Sequence, residues 1–366
     1  MIGSILDCDM AKTNPTKSAA TRKQDAPTKR LQMIDLARLA GVSTATVSRA
    51  LNGSELINIQ TRTRITDLAK SLNYTINVGA KNLRSGQNST IGVVIPSDPI
   101  SKQQISDPFF LSMLGSIADA LTLRGFDTLI SRVNADHLDA AAGLYDSGRV
   151  RGLIVIGQWH HHDQLNQLAA NRLPLVVWGA QIQGSLYCTV GGNNLLGGQR
   201  ATEHLIKEGR KRILFVGDTS LPEVEQRHAG YLLAHRAAKL NVDLNLCVRT
   251  PFTMDGGRSA ITLAARKGIQ FDAIFAASDV LAMSALGTLA ERGIRVPEQV
   301  AVVGYDDIAL APYTHPPLST IRQPIVQAGT VMVDELIKLI NGDVAQSVAL
   351  DAVFVQRGSS KKTKAP

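Results

Sequence analysis

Apolar residues at Ile34, Leu36, Ala37 and Ala40, then at Val47, Ala50 and Leu51, keep helical spacing on either side of Gly41-Val42-Ser43. The pattern predicts two short amphipathic helices joined by a tight glycine turn, with Ser43 capping the second. Thr44, Ala45 and Thr46 then project from the first turn of that helix, the part that meets base edges when a helix lies in the major groove. A third helix is expected from Thr61 to Leu72. The arrangement reads as a helix-turn-helix DNA-binding unit.

From Thr90 onward the pattern changes. The run Ile91-Gly92-Val93-Val94-Ile95 predicts a buried strand, and Asp107-Pro108 opens a helix through about Arg124. Leu129-Ile130, a helix near Ala135 to Tyr145, the strand from Gly152 to Gly157 and Leu175 to Trp178 continue the series. A second set follows, with helices at Asn194 to Glu208, Glu223 to Leu240, Asp255 to Lys267 and Val280 to Arg292. Its strands are Ile213 to Val216, Ala273 to Ala276 and Val300 to Val303. Such alternation requires parallel sheets covered by helices on both faces, and its extent requires two such units. The fold class is α/β.

Charge sharpens the division. Residues 1–90 hold 13 Lys and Arg against 6 Asp and Glu, so nearly all of the chain's +8 lies at the end that carries the helix-turn-helix. That is the distribution phosphate neutralisation needs. Lys17 to Arg30 reads as a solvated basic tail within a polar leader, 1–30, without periodicity. No apolar run approaches the ~20 residues of a membrane span. The first nine residues lack the basic start and apolar stretch of a secretion signal, and Asp7 stands where a lipoprotein cysteine needs a small neighbour. Cys8, Cys188 and Cys247 lack metal spacing and read as reduced thiols, which places the chain in the cytoplasm, at the nucleoid.

The segment from Asp35 to Asn52 resembles the N-terminal module of the lac repressor family (LacI/GalR), with its pattern DVAxxAGVSxxTVSxxLN, and Leu68 to Tyr74 is similar to the end of that family's third helix. The resemblance continues in Ser106 to Phe110, Ala201 to Gly217 and Ala276 to Pro324, and covers about 330 of 366 residues. It implies a core of two lobes related to periplasmic sugar-binding proteins. The family's module begins close to the start of its proteins, so the leader is a departure. The implied domains are the module at 31–76, a hinge helix and linker at 77–88, an effector-binding core at 89–358 and a polar tail at 359–366. Within the core, one lobe takes about 89–190 and 324–344, the other about 191–323 and 345–358. On DNA the resemblance assigns Ser43, Thr44, Ala45, Thr46, Ser48, Arg49 and Asn52 to the module, and Asn77, Lys81 and Leu83 to the hinge. Leu83 matches the leucine that enters the minor groove, where an apolar wedge pries open a base step. Ile76 replaces the usual proline, and Gly79 inside the hinge helix costs about 1 kcal/mol against alanine.

Ligands of such sheets bind beyond the carboxyl ends of strands, here between the lobes. A sugar needs bidentate polar groups for neighbouring hydroxyls and an aromatic surface for its apolar face. By resemblance Arg227 grips effector oxygens, Asp306 accepts from hydroxyls or amines, and Phe252 forms an aromatic platform. Phe109 and Phe110 begin a helix at the cleft mouth, Ser278 and Asp279 begin another, and Trp178 faces the cleft. The alternative for Arg227 and Asp306 is a structural ion pair, and for Phe252 plain core packing. Gly179 stands where many relatives carry an acid, Asn193 replaces a common aspartate, and the segment from Ser97 to Ser106 is longer than usual. Val177 to Ala180 with Tyr187-Cys188 is similar to a branch associated with maltose or other glucosides.

His160-His161-His162-Asp163 reads as a solvated strand-to-helix turn, since adjacent histidines cannot converge on one ion. Gly191-Gly192 with Gly197-Gly198 does not form the dinucleotide fingerprint. No catalytic triad or paired-carboxylate pattern emerges, and no cofactor or metal is expected. The chain reads as a homodimeric regulator, not an enzyme, with a double-stranded DNA operator and a small sugar or glucoside effector as partners and no role at a membrane. Its expected action is repression of carbohydrate-utilisation genes. An activator or corepressor-dependent regulator remains open, as does a sugar-binding protein or sugar enzyme on the same fold. Gly358 to Pro366 lacks heptads, which argues against a tetramer-forming coil.

Overall fold

The computed structural model describes residues 31–72, 74, 88–97 and 103–361. The leader, the hinge residues Asn77, Lys81 and Leu83, Ile76, Gly79 and the end of the polar tail lie outside the described residues. The chain divides into two compact units, one before and one after Lys81.

In the first unit, helices α1 (Met33–Ala40), α2 (Thr44–Leu51) and α3 (Ile59–Ser71) enclose a small core of Leu36, Ala37, Ala40, Val47, Ala50, Ile65 and Ala69. Gly41 ends α1 in the left-handed region at φ 66°, where a Cβ would strain the backbone. Ser43 Oγ then accepts from Thr46 N at 3.1 Å and starts α2. The third helix begins two residues before the expected Thr61, because Asn58 Oδ1 accepts from Gln60 N and caps it. Arg64 Nη2 donates to Ala40 O and ties α3 to α1.

The second unit holds two doubly wound sheets. The first contains β1 (Thr90–Ser97), β2 (Asp127–Asn134), β3 (Leu153–Ile156), β4 (Leu175–Trp178), β5 (Cys188–Gly192) and β11 (Val348–Leu350), in the order β11-β5-β4-β3-β1-β2. The second contains β6 (Ile213–Val216), β7 (Cys247–Val248), β8 (Ala273–Ala276), β9 (Ala301–Asp306), β10 (Ser319–Arg322) and β12 (Val353–Val355), in the order β12-β10-β9-β8-β6-β7. Only the β10–β12 pair is antiparallel among the described ladders. Strands β3, β4, β6 and β8 are buried at every position, which is why they read as unbroken apolar runs. The helices α4 (Pro108–Leu123), α5 (Asp139–Asp146) and α6 (His162–Ala170) belong to the first lobe. Helices α7 (Asn194–Lys207), α8 (Pro222–Ala237), α9 (Met254–Arg266) and α10 (Asp279–Glu291) belong to the second. Helix α11 (Ile325–Ile340) packs its Ala328, Met332, Val333 and Leu336 into the first lobe's core.

Two boundaries differ from the sequence expectation. Residues 345–358 do not all belong to the second lobe, because Val348–Leu350 extends the first sheet and the chain crosses back only between Leu350 and Val353. The polar tail does not begin at residue 359. Ser359 and Ser360 are buried, with Ser359 Oγ donating to Val302 O and Ser360 bonded to Ser319 and His204. Among the described residues no helix is long and apolar enough to cross a membrane.

Candidate DNA interface and ligand cleft

On α2 the positions assigned to DNA form one accessible face. Ser43, Thr44, Ala45, Arg49 and Asn52 are exposed, while Thr46 and Ser48 are half-buried. The Ser43 and Thr46 hydroxyls bond each other at 2.9 Å, which fixes the first turn, and Asn52 Nδ2 donates to Ser48 O at the last. The Arg49 guanidinium has no hydrogen bond or ion pair among the described residues.

Between the lobes lies a cleft with about 670 Å³ of empty space, part of it open to solvent. Its first-lobe wall contains Phe109, Phe110, Trp159 and Trp178, and its second-lobe wall Arg227, Phe252, Ser278 and Asp306. Asp107 caps α4 by accepting from Phe109 N at 2.9 Å, and so presents the two phenylalanines in the helix's first turn. The Phe109 ring lies 5.9 Å from Phe110 and 6.2 Å from Trp178. Ser278 caps α10 through Leu281 N.

Arg227 enters the second-lobe wall from α8, where glycines let α7 and α8 cross closely. A Cβ at Gly198 would collide with the Arg227 backbone, and one at Gly230 with Leu195 O. Arg227 is 6% exposed; its Nε donates to Asn194 Oδ1 at 2.9 Å and its Nη1 to Ala277 O at 2.6 Å. Its Cζ sits 3.8 Å over the Tyr305 ring, within cation–π range. Arg227 and Asp306 line one cleft without forming a direct ion pair among the described salt bridges.

Asp306 ends β9 at φ 120°, and Asp307 follows at φ 57°. Two consecutive non-glycine residues with positive φ store about 1–3 kcal/mol each, a strain that clusters where geometry is functional. The carboxylate accepts from Gln323 Nε2 at 2.7 Å. Burial pushes the Asp306 carboxyl up to about 7, against the pull of Arg227. Asp279 does not line the cleft, unlike its expected role. It is fully buried, with its oxygens accepting from Thr320 Oγ1 at 2.5 Å and Ile308 N at 2.9 Å. Burial, with the charge of Asp306 beside it, pushes the Asp279 carboxyl far above the ordinary range.

The departures have local causes. The space where a side chain at Gly179 would extend is filled by Gln158, whose amide bonds both backbone groups of Ala180 and the Tyr187 hydroxyl. Asn193 caps α7 through Leu196 N. His162 is taken by Tyr187 and Asn166, and among the described residues no His, Cys, Asp and Glu group could hold a metal ion. The sequence reading missed Trp159, Glu223, Gln323 and Asp107, all of which line the cleft. Trp159, at φ 48°, extends from the first lobe against the second lobe's core. Glu223 lines the cleft from the first turn of α8, and Gln226 Nε2, one turn on, donates to Gln181 O of the first lobe. These contacts join the lobes along one seam.

A three-helix DNA-binding unit and a two-lobed core with a ligand-sized cleft, in one chain, make up a ligand-responsive transcription regulator. Residues 32–77 match the bacterial regulatory proteins of the lacI family, and residues 202–360 match the periplasmic binding protein-like domain. The chain is 31% identical to the HTH-type transcriptional regulator CelR of Thermobifida fusca, over 87% of this chain and 94% of that one. It is 30% identical to the ribose operon repressor of Escherichia coli K12, over 90% and 99%. Similar solved structures include a CelR–cellobiose complex (30% identity, TM-score 0.67, covering 90% of this chain and 100% of that one) and the lac repressor dimer bound to operator and the anti-inducer ONPF (26%, 0.80, 91% and 100%). The chain belongs to the lacI family and is a DNA-binding transcriptional regulator.

Proposed function

We propose that this regulator is a cytoplasmic homodimer that represses carbohydrate-utilisation genes, with operator affinity set by a sugar or glucoside in the cleft. The cleft carries the reading, because aromatic rings from both lobes surround Arg227 and Asp306 as a sugar's apolar faces and hydroxyls require. Thr44, Ala45 and Arg49 read base edges, while Ser43, Thr46, Ser48 and Asn52 fix the helix against phosphates. Asn77, Lys81 and the Leu83 wedge complete the contact through the hinge. Arg227 donates to the effector and Asp306 accepts from it; Phe252 and Trp178 cover its faces, with Phe109, Phe110 and Ser278 at the rim. An effector that favours one arrangement of the lobes must shift DNA affinity, and DNA must shift effector affinity by the same factor. The similarity to a regulator solved with cellobiose and to a ribose operon repressor supports a carbohydrate.

The chain's two tryptophans, Trp159 and Trp178, both line the cleft. Titration of a panel of mono- and disaccharides, cellobiose and ribose included, should therefore give a saturable change in tryptophan emission. No change with any of them, and no heat of binding, would remove the sugar reading.

A further inference from the structure

The cleft's charges go further and name the class of sugar. Three carboxylates, Asp107, Glu223 and Asp306, line it against the single guanidinium of Arg227. That guanidinium is already engaged, with two nitrogens on Asn194 and Ala277 and its face on Tyr305. The helices that start at the cleft carry acids at their N-termini: α8 has no side-chain cap, but Glu223 lies in its first turn. Asp107 caps α4, and α10 carries Ser278 as its cap and Asp279 in its first turn. Recognition of a carboxylate or phosphate calls for an open arginine fork or helix N-terminal N–H groups free of an acid; here two guanidinium nitrogens are engaged and the N-termini of α4, α8 and α10 each hold an acid.

Resting on the reading of the cleft as the effector site, we infer that it accepts neutral or amine-bearing sugars, rejects uronates, aldonates and sugar phosphates, and that Glu223 sets this preference. Glu223 stands in the first turn of α8, lines the cleft and lies one turn before Gln226, which bonds Gln181 O of the opposite lobe, so it sits at the seam a ligand must fill. A ligand hydroxyl or ammonium there meets an acceptor; a ligand carboxylate meets a like charge in a poorly hydrated space. Asp306 faces it with Asp107 across the gap, and burial already pushes the carboxyls of Glu223 and Asp306 upward, the mark of a site that disfavours added negative charge. The tryptophans and phenylalanines supply the apolar faces for a pyranose ring and no compensating cation.

The test uses the full-length protein, tryptophan emission and calorimetry, and matched ligands: glucose, glucosamine, glucuronate and glucose 6-phosphate, then cellobiose and cellobionate. The expected result is binding by the neutral or amino member of a set, with its anionic counterpart at least tenfold weaker. Glu223→Gln keeps the shape and removes the charge; it should narrow that gap about tenfold, through tighter anion binding. Anions that bind as well as their neutral counterparts would overturn the charge inference and leave the carbohydrate reading standing. A preference unchanged in Glu223→Gln would overturn the role of that residue, and if the variant does not fold the wild-type comparison still decides the preference. Silence across the whole set would overturn the carbohydrate reading and this inference with it.

Discussion

Replacing Asp306 by Asn separates what its carboxylate does for a ligand from what its charge does to the fold. Asparagine keeps the size and can still accept from Gln323 Nε2, the 2.7 Å partner of Asp306. The carboxyl rises through burial from an ordinary 3.8 to about 7. At about 1.4 kcal/mol per tenfold change, an ionised Asp306 costs the folded core up to about 4 kcal/mol. Because the folded value lies above the unfolded one, this cost is absent below about pH 4, grows as pH rises to about 7 and is constant beyond. Asp306→Asn should therefore be more stable than the parent, by a margin about 2–3 kcal/mol larger at pH 8 than at pH 5. Urea unfolding at the two pH values reads this margin directly. The buried Asp279 loses, in Asp306→Asn, the like charge that helps push its carboxyl up, which adds to the margin at pH 8. Ligand affinity should fall about 5- to 150-fold, from loss of a charged acceptor worth about 1–3 kcal/mol. A margin that stays flat between pH 5 and pH 8 would refute the reasoning, since Asp306 would then be an ordinary ionised carboxylate matched by Arg227.

Arg227→Ala should do more than remove a ligand contact. It orphans Asn194 Oδ1 and Ala277 O, at about 1–3 kcal/mol each, so calorimetry should find no effector binding and urea melts a destabilised core. Gly230→Ala presses a Cβ onto the backbone of α7 and should cost about 1–3 kcal/mol of stability together with effector affinity, measured the same way. Arg49→Ala, at an exposed position without a described partner, should weaken operator binding by about 1–3 kcal/mol in fluorescence anisotropy and leave effector binding unchanged.

The sequence revealed what rests on local chemistry. The Ser43 cap, the glycine at the left-handed Gly41 and the apolar spacing between them define α1 and α2, and wholly buried strands such as Leu153–Ile156 stand out as apolar runs. What it hid depends on tertiary pairing. Strand β10 is Ser-Thr-Ile-Arg, with its Ser319 and Thr320 buried but satisfied by Ser359 and Asp279, so no hydrophobic pattern marks it. The same bonds draw Ser359 and Ser360 into the core. Asp279 looked like a site residue because it opens a helix beside Ser278, yet the fold turns its carboxylate to Thr320 and Ile308. Trp159 and Glu223 sit just outside or at the start of regular elements, and only the meeting of two lobes makes them neighbours.

The proposed regulation links the cleft to the DNA surface. The measurement is affinity for a DNA site selected by the full-length protein from random sequence, titrated with and without a sugar that saturates the tryptophan signal. The selected site should be near-palindromic, with half-sites about one helical turn apart. Its affinity should change at least tenfold on sugar binding, and the site should change sugar affinity by the same factor in the same direction. Operator affinity identical in the sugar-free and sugar-saturated protein would contradict it.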